Sequence, residues 1–194
     1  MYTRKCRKGA KQTVSRPLVD LSLTALFGGL IAAGAFISIP LPVSPVPLVL
    51  QNFFAVLAGL VLGPVSGAGA VALYLLAGAL GFPVFAGAAG GIAHFAGPTG
   101  GFLFGYLLAA SAGGCIAGKP KKTTARWKLV LAASAAFAVV YVPGVLWLFR
   151  ITASFKAAFF AGCLPFLPGD AVKAALAVYV SGKMRTLAFN LRDR

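Results

Sequence analysis

Asp170 and Lys173 are the two residues of this chain whose types and spacing most invite chemistry. Three positions apart, they share one face of a helix. They follow Pro165-Phe-Leu-Pro168-Gly169 and stand in an otherwise apolar stretch. Ionisable side chains in such surroundings are costly and by default mark a functional site. A structural salt bridge tying one helix to a neighbour is the plainer alternative. Gln51 and Asn52 open a second apolar stretch at a similar depth. Carboxylate, ammonium and amide groups together in an apolar pocket suit a small ligand bearing both an acid and hydrogen-bonding groups. They do not suit an ion channel, which needs rings of charge or of carbonyls.

Other chemistries lack their residues. His94 is the sole histidine and there is no Glu. Zinc catalysis draws on several His, Glu or Cys ligands, so no metal site is expected. No G-x-S-x-G nucleophile motif is present. His94 reads as a loop residue touching solvent or ligand. Gly113-Gly-Cys-Ile-Ala-Gly118-Lys119 resembles a phosphate-binding loop, but Pro120 stands where Ser or Thr must hold magnesium. Gly67-Ala-Gly69-Ala-Val-Ala72 begins an apolar segment instead of following a strand, which favours small-residue helix packing over dinucleotide binding. Cys6, Cys115 and Cys163 share no ligand spacing. Neither a catalytic role nor a cofactor is expected.

The elements that must position the polar residues follow from hydropathy. The chain has 194 residues, 59% hydrophobic and only 11% charged, with a mean hydropathy of +0.89. A soluble domain carries about 25% charged residues, so an ordinary soluble enzyme is excluded. A membrane span needs about 20 apolar residues, with about 17 tolerated. Six segments qualify: about 17–39, 47–62, 66–82, 99–118, 127–149 and 169–189. The expectation is an all-α, polytopic membrane protein with a six-helix bundle at 17–189. A basic tail at 1–16 precedes it and a short tail at 190–194 follows. The apolar stretch 157–168 is too short to span and reads as re-entrant or interfacial. Pro143-Gly144 is expected to kink the fifth span.

The connections on one face are unusual. The first, SIPLPVSPVPL, carries Pro40, Pro42, Pro45 and Pro47 and favours extended, stiff backbone. Another, Gly81 to Gly101, is rich in Gly and almost uncharged. An apolar loop of that length is expected to fold back over the membrane face as a plug or lid.

Placing the charges settles the meaning of the +15 net charge. With six spans, the N-terminal tail, the loop after span 4 and the end of span 6 fall on one side. They hold 15 basic residues, against Arg150 and Lys156 opposite. This is the positive-inside pattern, with both termini cytoplasmic. Spread over loops without interleaved aromatics, these charges do not describe a nucleic-acid surface. In span 1, Ala25, Gly29 and Ala33 recur every four residues, which permits close approach of another helix, inside the bundle or outside it.

Three stretches resemble one family, the BioY biotin-specific substrate-binding components of energy-coupling-factor (ECF) transporters. They are ISIPLPVSPVPLVLQNFFAVLAGLVLGP (37–64), LYLLAGALGFPVFAGAAGGIAHFAGPTGG (73–101) and PFLPGDAVKAALA (165–177). The resemblance implies a six-helix bundle in the bacterial cytoplasmic membrane that takes biotin from the outer face. It assigns ligand contacts to Asp170 and Lys173, with Lys173 meeting the valerate carboxylate and Asp170 accepting from the ureido N–H groups. It adds the loop residues Phe85, Gly87, Gly90, Gly91 and His94, beside Gln51 and Asn52. Ala89 and Leu103 stand where relatives can carry polar and basic residues, so those two contacts do not carry over. The resemblance also implies that Ala25, Gly29 and Ala33 dock on a transmembrane coupling subunit driven by two ATPase subunits. The alternatives are a sibling specificity for another vitamin or small acid, an intramembrane lipid-acting enzyme, or a purely structural subunit.

Overall fold

A computed structural model describes residues 16–193 except Val43 and Lys122. The basic tail expected at 1–16 therefore lies, but for Arg16, outside the described residues. Seven α-helices form in chain order: α1 (Arg16–Phe36), α2 (Gln51–Leu62), α3 (Pro64–Ala79), α4 (Gly100–Ala117), α5 (Arg126–Thr152), α6 (Phe155–Gly162) and α7 (Leu167–Arg192). α1, α4 and α5 are each long and apolar enough to cross a membrane. α6 and α7 are bent by 49° and pass that test together. α2 and α3 are shorter apolar helices of 12 and 16 residues. At about 1.5 Å per residue, neither alone matches a hydrocarbon core of about 30 Å.

The shortening of α2 has a local cause. The proline-spaced segment before it folds back as a two-stranded antiparallel hairpin, β1 (Ser38–Ile39) with β2 (Leu48–Val49). Helix begins only at Gln51, beyond the last of these prolines. Gly63, with φ of +90°, then ends α2, and Pro64 starts α3 at a position that needs no N–H donor. The segment after α3 forms two 3-10 turns, Ala86–Ala88 and Ile92–Ala96. The apolar stretch 157–168 becomes the end of α6 and the bend into α7. Pro143 lies inside an uninterrupted α5.

Small residues bring the helices together, as lipid gives little hydrophobic drive for association. A side chain at Gly59 would strike the backbone of Ala110, and one at Gly67 would lie 2.6 Å from the Cα of Gly59. These two positions let α2 sit directly against α4 and α3. The P-loop look-alike is thus the end of a packed helix, and the glycine pattern at 67–69 serves helix contact. Ala25, Gly29 and Ala33 face outward from the bundle, with open space beside Gly29, whereas Gly28 and Gly34 face inward.

One charged residue closes the end of the bundle opposite the hairpin. Arg185, one of the basic residues at the end of the sixth predicted span, is only 1% exposed. Its guanidinium donates to the carbonyls of Leu60, Ala117, Gly118 and Lys119 and to the Thr124 hydroxyl. Those carbonyls lie at the C-terminal ends of α2 and α4, which lack intrahelical donors and carry partial negative charge. Arg192 binds Asp20 and the Leu62 carbonyl, joining α7 to α1 and α2.

Candidate functional site

The buried polar residues of the sequence reading converge at the other end. Asp170 and Lys173 lie in the first turns of α7, and Asn52 in the first turn of α2. Lys173 Nζ is 3.0 Å from Asp170 Oδ1, 2.9 Å from Asn52 Oδ1 and 2.7 Å from the Val49 carbonyl. Asn52 Nδ2 donates to Asp170 Oδ1 at 2.9 Å. All three side chains are buried. Each charge is therefore paired and hydrogen-bonded, the condition for keeping charge in a low-dielectric interior.

Tyr141, from the middle of α5, completes the cluster. Its hydroxyl donates to Asp170 Oδ2 at 2.6 Å. Sequence reading missed it, because a lone Tyr in an apolar helix carries no spacing signal. Its partly buried pairing with an acceptor becomes visible only when α5 and α7 are packed.

Gln51 points elsewhere. Its Nε2 donates to the Tyr74 hydroxyl at 2.7 Å, so it is not part of the Asp170 network. His94 Nε2 lies 3.2 Å from Thr99 Oγ1, and its ring stacks on Phe85 at 4.9 Å. Partial burial lowers the pKa of the His94 imidazole below its ordinary value, which favours the neutral ring. Phe85 is buried edge-on to Tyr74 and over Gly78, where any side chain would collide with its ring. Gly87, Gly90 and Gly91 shape the loop. Gly87 and Gly91 have φ of +72° and +93°, which favour glycine. A side chain at Gly90 would strike the Phe82 carbonyl. The Gly91 N–H bonds the Gly78 carbonyl at 2.7 Å, pinning the loop to α3.

Two small cavities adjoin beneath the hairpin, each of about 20 Å³. Val46, Pro47, Val49, Phe102 and Tyr106 line both. One ends on Asn52, Tyr141, Asp170 and Lys173; the other ends on Gln51, His94 and Thr99. The hairpin is thus their common roof. Ligand pockets usually measure about 300–1,000 Å³, so neither cavity as it stands holds a vitamin-sized molecule. The two polar ends with an aromatic middle suit an elongated ligand with polar groups at both ends. No group of three His, Cys, Asp or Glu able to hold a metal occurs among the described residues.

Apolar helices, a roofed polar cluster at one end and an arginine clasp at the other define a membrane protein that binds a small ligand within a helical bundle. Comparison with known proteins gives the particular family. The BioY family model matches residues 7–189, and the chain belongs to that family. It is 44% identical to a probable biotin transporter BioY of Pyrococcus horikoshii, over 86% of this chain and 96% of that one. It is 40% identical to the biotin transporter BioY of Thermotoga maritima, over 87% and 96% of the two chains. In structure it resembles the crystallised S-component for biotin from an ECF-type ABC transporter. The TM-score is 0.79 at 28% identity, over 88% of this chain and 92% of that one.

Proposed function

We propose that this chain takes up biotin, as the high-affinity S component of an ECF-type transporter. The observation that carries the reading is the buried Asp170–Lys173–Asn52 cluster beneath the β1–β2 hairpin, in a chain related over most of its length to biotin transporters. Biotin is captured at the outer face and delivered inward with a transmembrane coupling subunit and two ATPase subunits. No cofactor beyond the transported ligand is invoked.

The cluster's electrostatics favour one orientation of the ligand. Lys173 already shares its charge with Asp170, 3.0 Å away. A ligand carboxylate brought to Lys173 would meet the Asp170 carboxylate as well. A neutral ureido group avoids that repulsion, since its N–H groups match Asp170 and Asn52 Oδ1 and its carbonyl matches Lys173. On this reading the valerate points along the aromatic middle toward His94 and Thr99. The alternative pairing, Lys173 with the carboxylate, is separated by comparing biotin with its methyl ester in wild type and in Lys173→Ala. If Lys173 holds the carboxylate, the two losses are not additive.

For the membrane arrangement, we read α1, α2, α3, α4, α5 and α7 as six crossings. The hairpin lengthens the α2 crossing and α6 lies at the outer boundary. The positive-inside bias supports cytoplasmic termini in the plasma membrane. Ala25, Gly29 and Ala33, outward-facing on α1, form the docking stripe for the coupling subunit.

The direct test is titration of purified protein with biotin against a panel of other vitamins. Tight binding of biotin alone is expected. A melting temperature unmoved by biotin and raised by another vitamin would transfer the reading to that sibling specificity.

A further inference from the structure

A cleft of about 500 Å³ opens between the start of α5 and the later half of α7. It lies on the Arg185 side of the bundle, away from the hairpin roof. Arg126 and Lys183 flank it, and Thr123, Thr124 and Tyr179 add hydroxyls. Leu129, Ala175 and Val178 make an apolar floor. No carboxylate lines it among the described residues.

The polar groups are positioned, not merely present. Thr124 accepts from Arg185 Nε at 3.1 Å, so a buried guanidinium fixes its hydroxyl and leaves its proton free to donate. Lys183 Nζ lies 4.8 Å over the Tyr179 ring and donates to its hydroxyl at 2.9 Å. Arg126 has no ion pair among the described residues. Two cations and several hydroxyls line one cleft with no carboxylate beside them among the described residues, a set of groups that suits one phosphate.

Depth identifies the source of that phosphate. Tyr179, which lines the cleft, is exposed, and so is Trp127, next to Arg126 in the chain. Such aromatics gather where a bilayer meets water. An apolar floor directly below a basic rim matches an acyl chain below a headgroup, and basic clefts between cytoplasmic helix ends are typical sites for anionic lipids. A soluble phosphate would have no use for the floor.

We propose that this cleft binds an anionic phospholipid of the inner leaflet, with its phosphate between Arg126 and Lys183 and an acyl chain along Leu129 and Val178. The lipid would bridge α5 and α7.

The experiment compares the melting temperature of the detergent-purified chain with added phosphatidylglycerol, phosphatidylcholine or inorganic phosphate. Native mass spectrometry of retained lipid runs in parallel. Phosphatidylglycerol is expected to raise the melting temperature by roughly 3 °C or more and to be retained. Phosphatidylcholine and phosphate are expected to do neither. In Arg126→Gln/Lys183→Gln the shift and the retention should vanish, and in the charge-keeping Arg126→Lys/Lys183→Arg they should persist. An equal shift in the Gln variant overturns the proposal, as does a full shift with inorganic phosphate or phosphatidylcholine. So does loss of co-purifying coupling subunit in the Gln variant with lipid retention unchanged, which would make the cleft a protein contact. Biotin titration of each variant reports its folding separately.

Discussion

Lys173 donates to the backbone carbonyl of Val49, 2.7 Å away, across 124 residues of sequence. Val49 belongs to the hairpin and lines both cavities, so the cationic residue of the cluster also ties the hairpin to α7. The same ammonium meets Asp170 and Asn52. A ligand that engages Lys173 must compete with or rearrange these partners, one of which is the hairpin carbonyl of Val49.

Replacing Lys173 by Ala should weaken biotin binding tenfold or more, since a charge-assisted contact is lost and Asp170 is left without its counter-ion. Isothermal titration gives the affinity directly. Unchanged tight binding in both Lys173→Ala and Asp170→Ala would remove these residues from the site.

Tyr141→Phe deletes one hydroxyl and leaves the ring. A hydrogen bond to a charged acceptor contributes about 1.5–3 kcal/mol, so affinity should fall by roughly tenfold or more through a misplaced Asp170. Biotin titration beside a melting curve separates this from general unfolding.

Arg185→Met should behave in the opposite way. It removes the donor to four backbone carbonyls at the far end of the bundle. The melting temperature should drop substantially, because buried carbonyls lose their partner, while the folded fraction keeps its affinity for biotin. Arg185→Lys should recover only part of the loss, as one ammonium cannot span the same fan of acceptors.

Gly28→Leu and Gly29→Leu are neighbours with different outcomes. A side chain at Gly28 meets the Ala70 carbonyl at 3.3 Å and Leu73 at 3.4 Å, whereas at Gly29 it meets nothing within 4 Å. Gly28→Leu should destabilise the isolated protein. Gly29→Leu should leave stability and biotin affinity intact and abolish co-purification with the coupling subunit. Retained co-purification in Gly29→Leu would move the docking surface off this stripe.

Hydropathy and charge placement alone determined that the chain lives in lipid, because spans and loop cations are properties of local composition. The spacing of Asp170 and Lys173 likewise placed both on one helix face, since helical periodicity needs no tertiary information. Tertiary structure alone decided what surrounds them. Asn52 lies 118 positions from Asp170 and Tyr141 lies 29, and no local pattern announces such partners. It also separated Gln51 from its neighbour Asn52, because successive residues on a helix point about 100° apart and α3 offers Tyr74 to one of them. The prolines before Gln51 signalled stiff backbone, but only packing made that backbone a hairpin roof. Arg185 shows the same division. By position it is one more inner-face cation, and only the meeting of the α2 and α4 ends makes it a buried clasp.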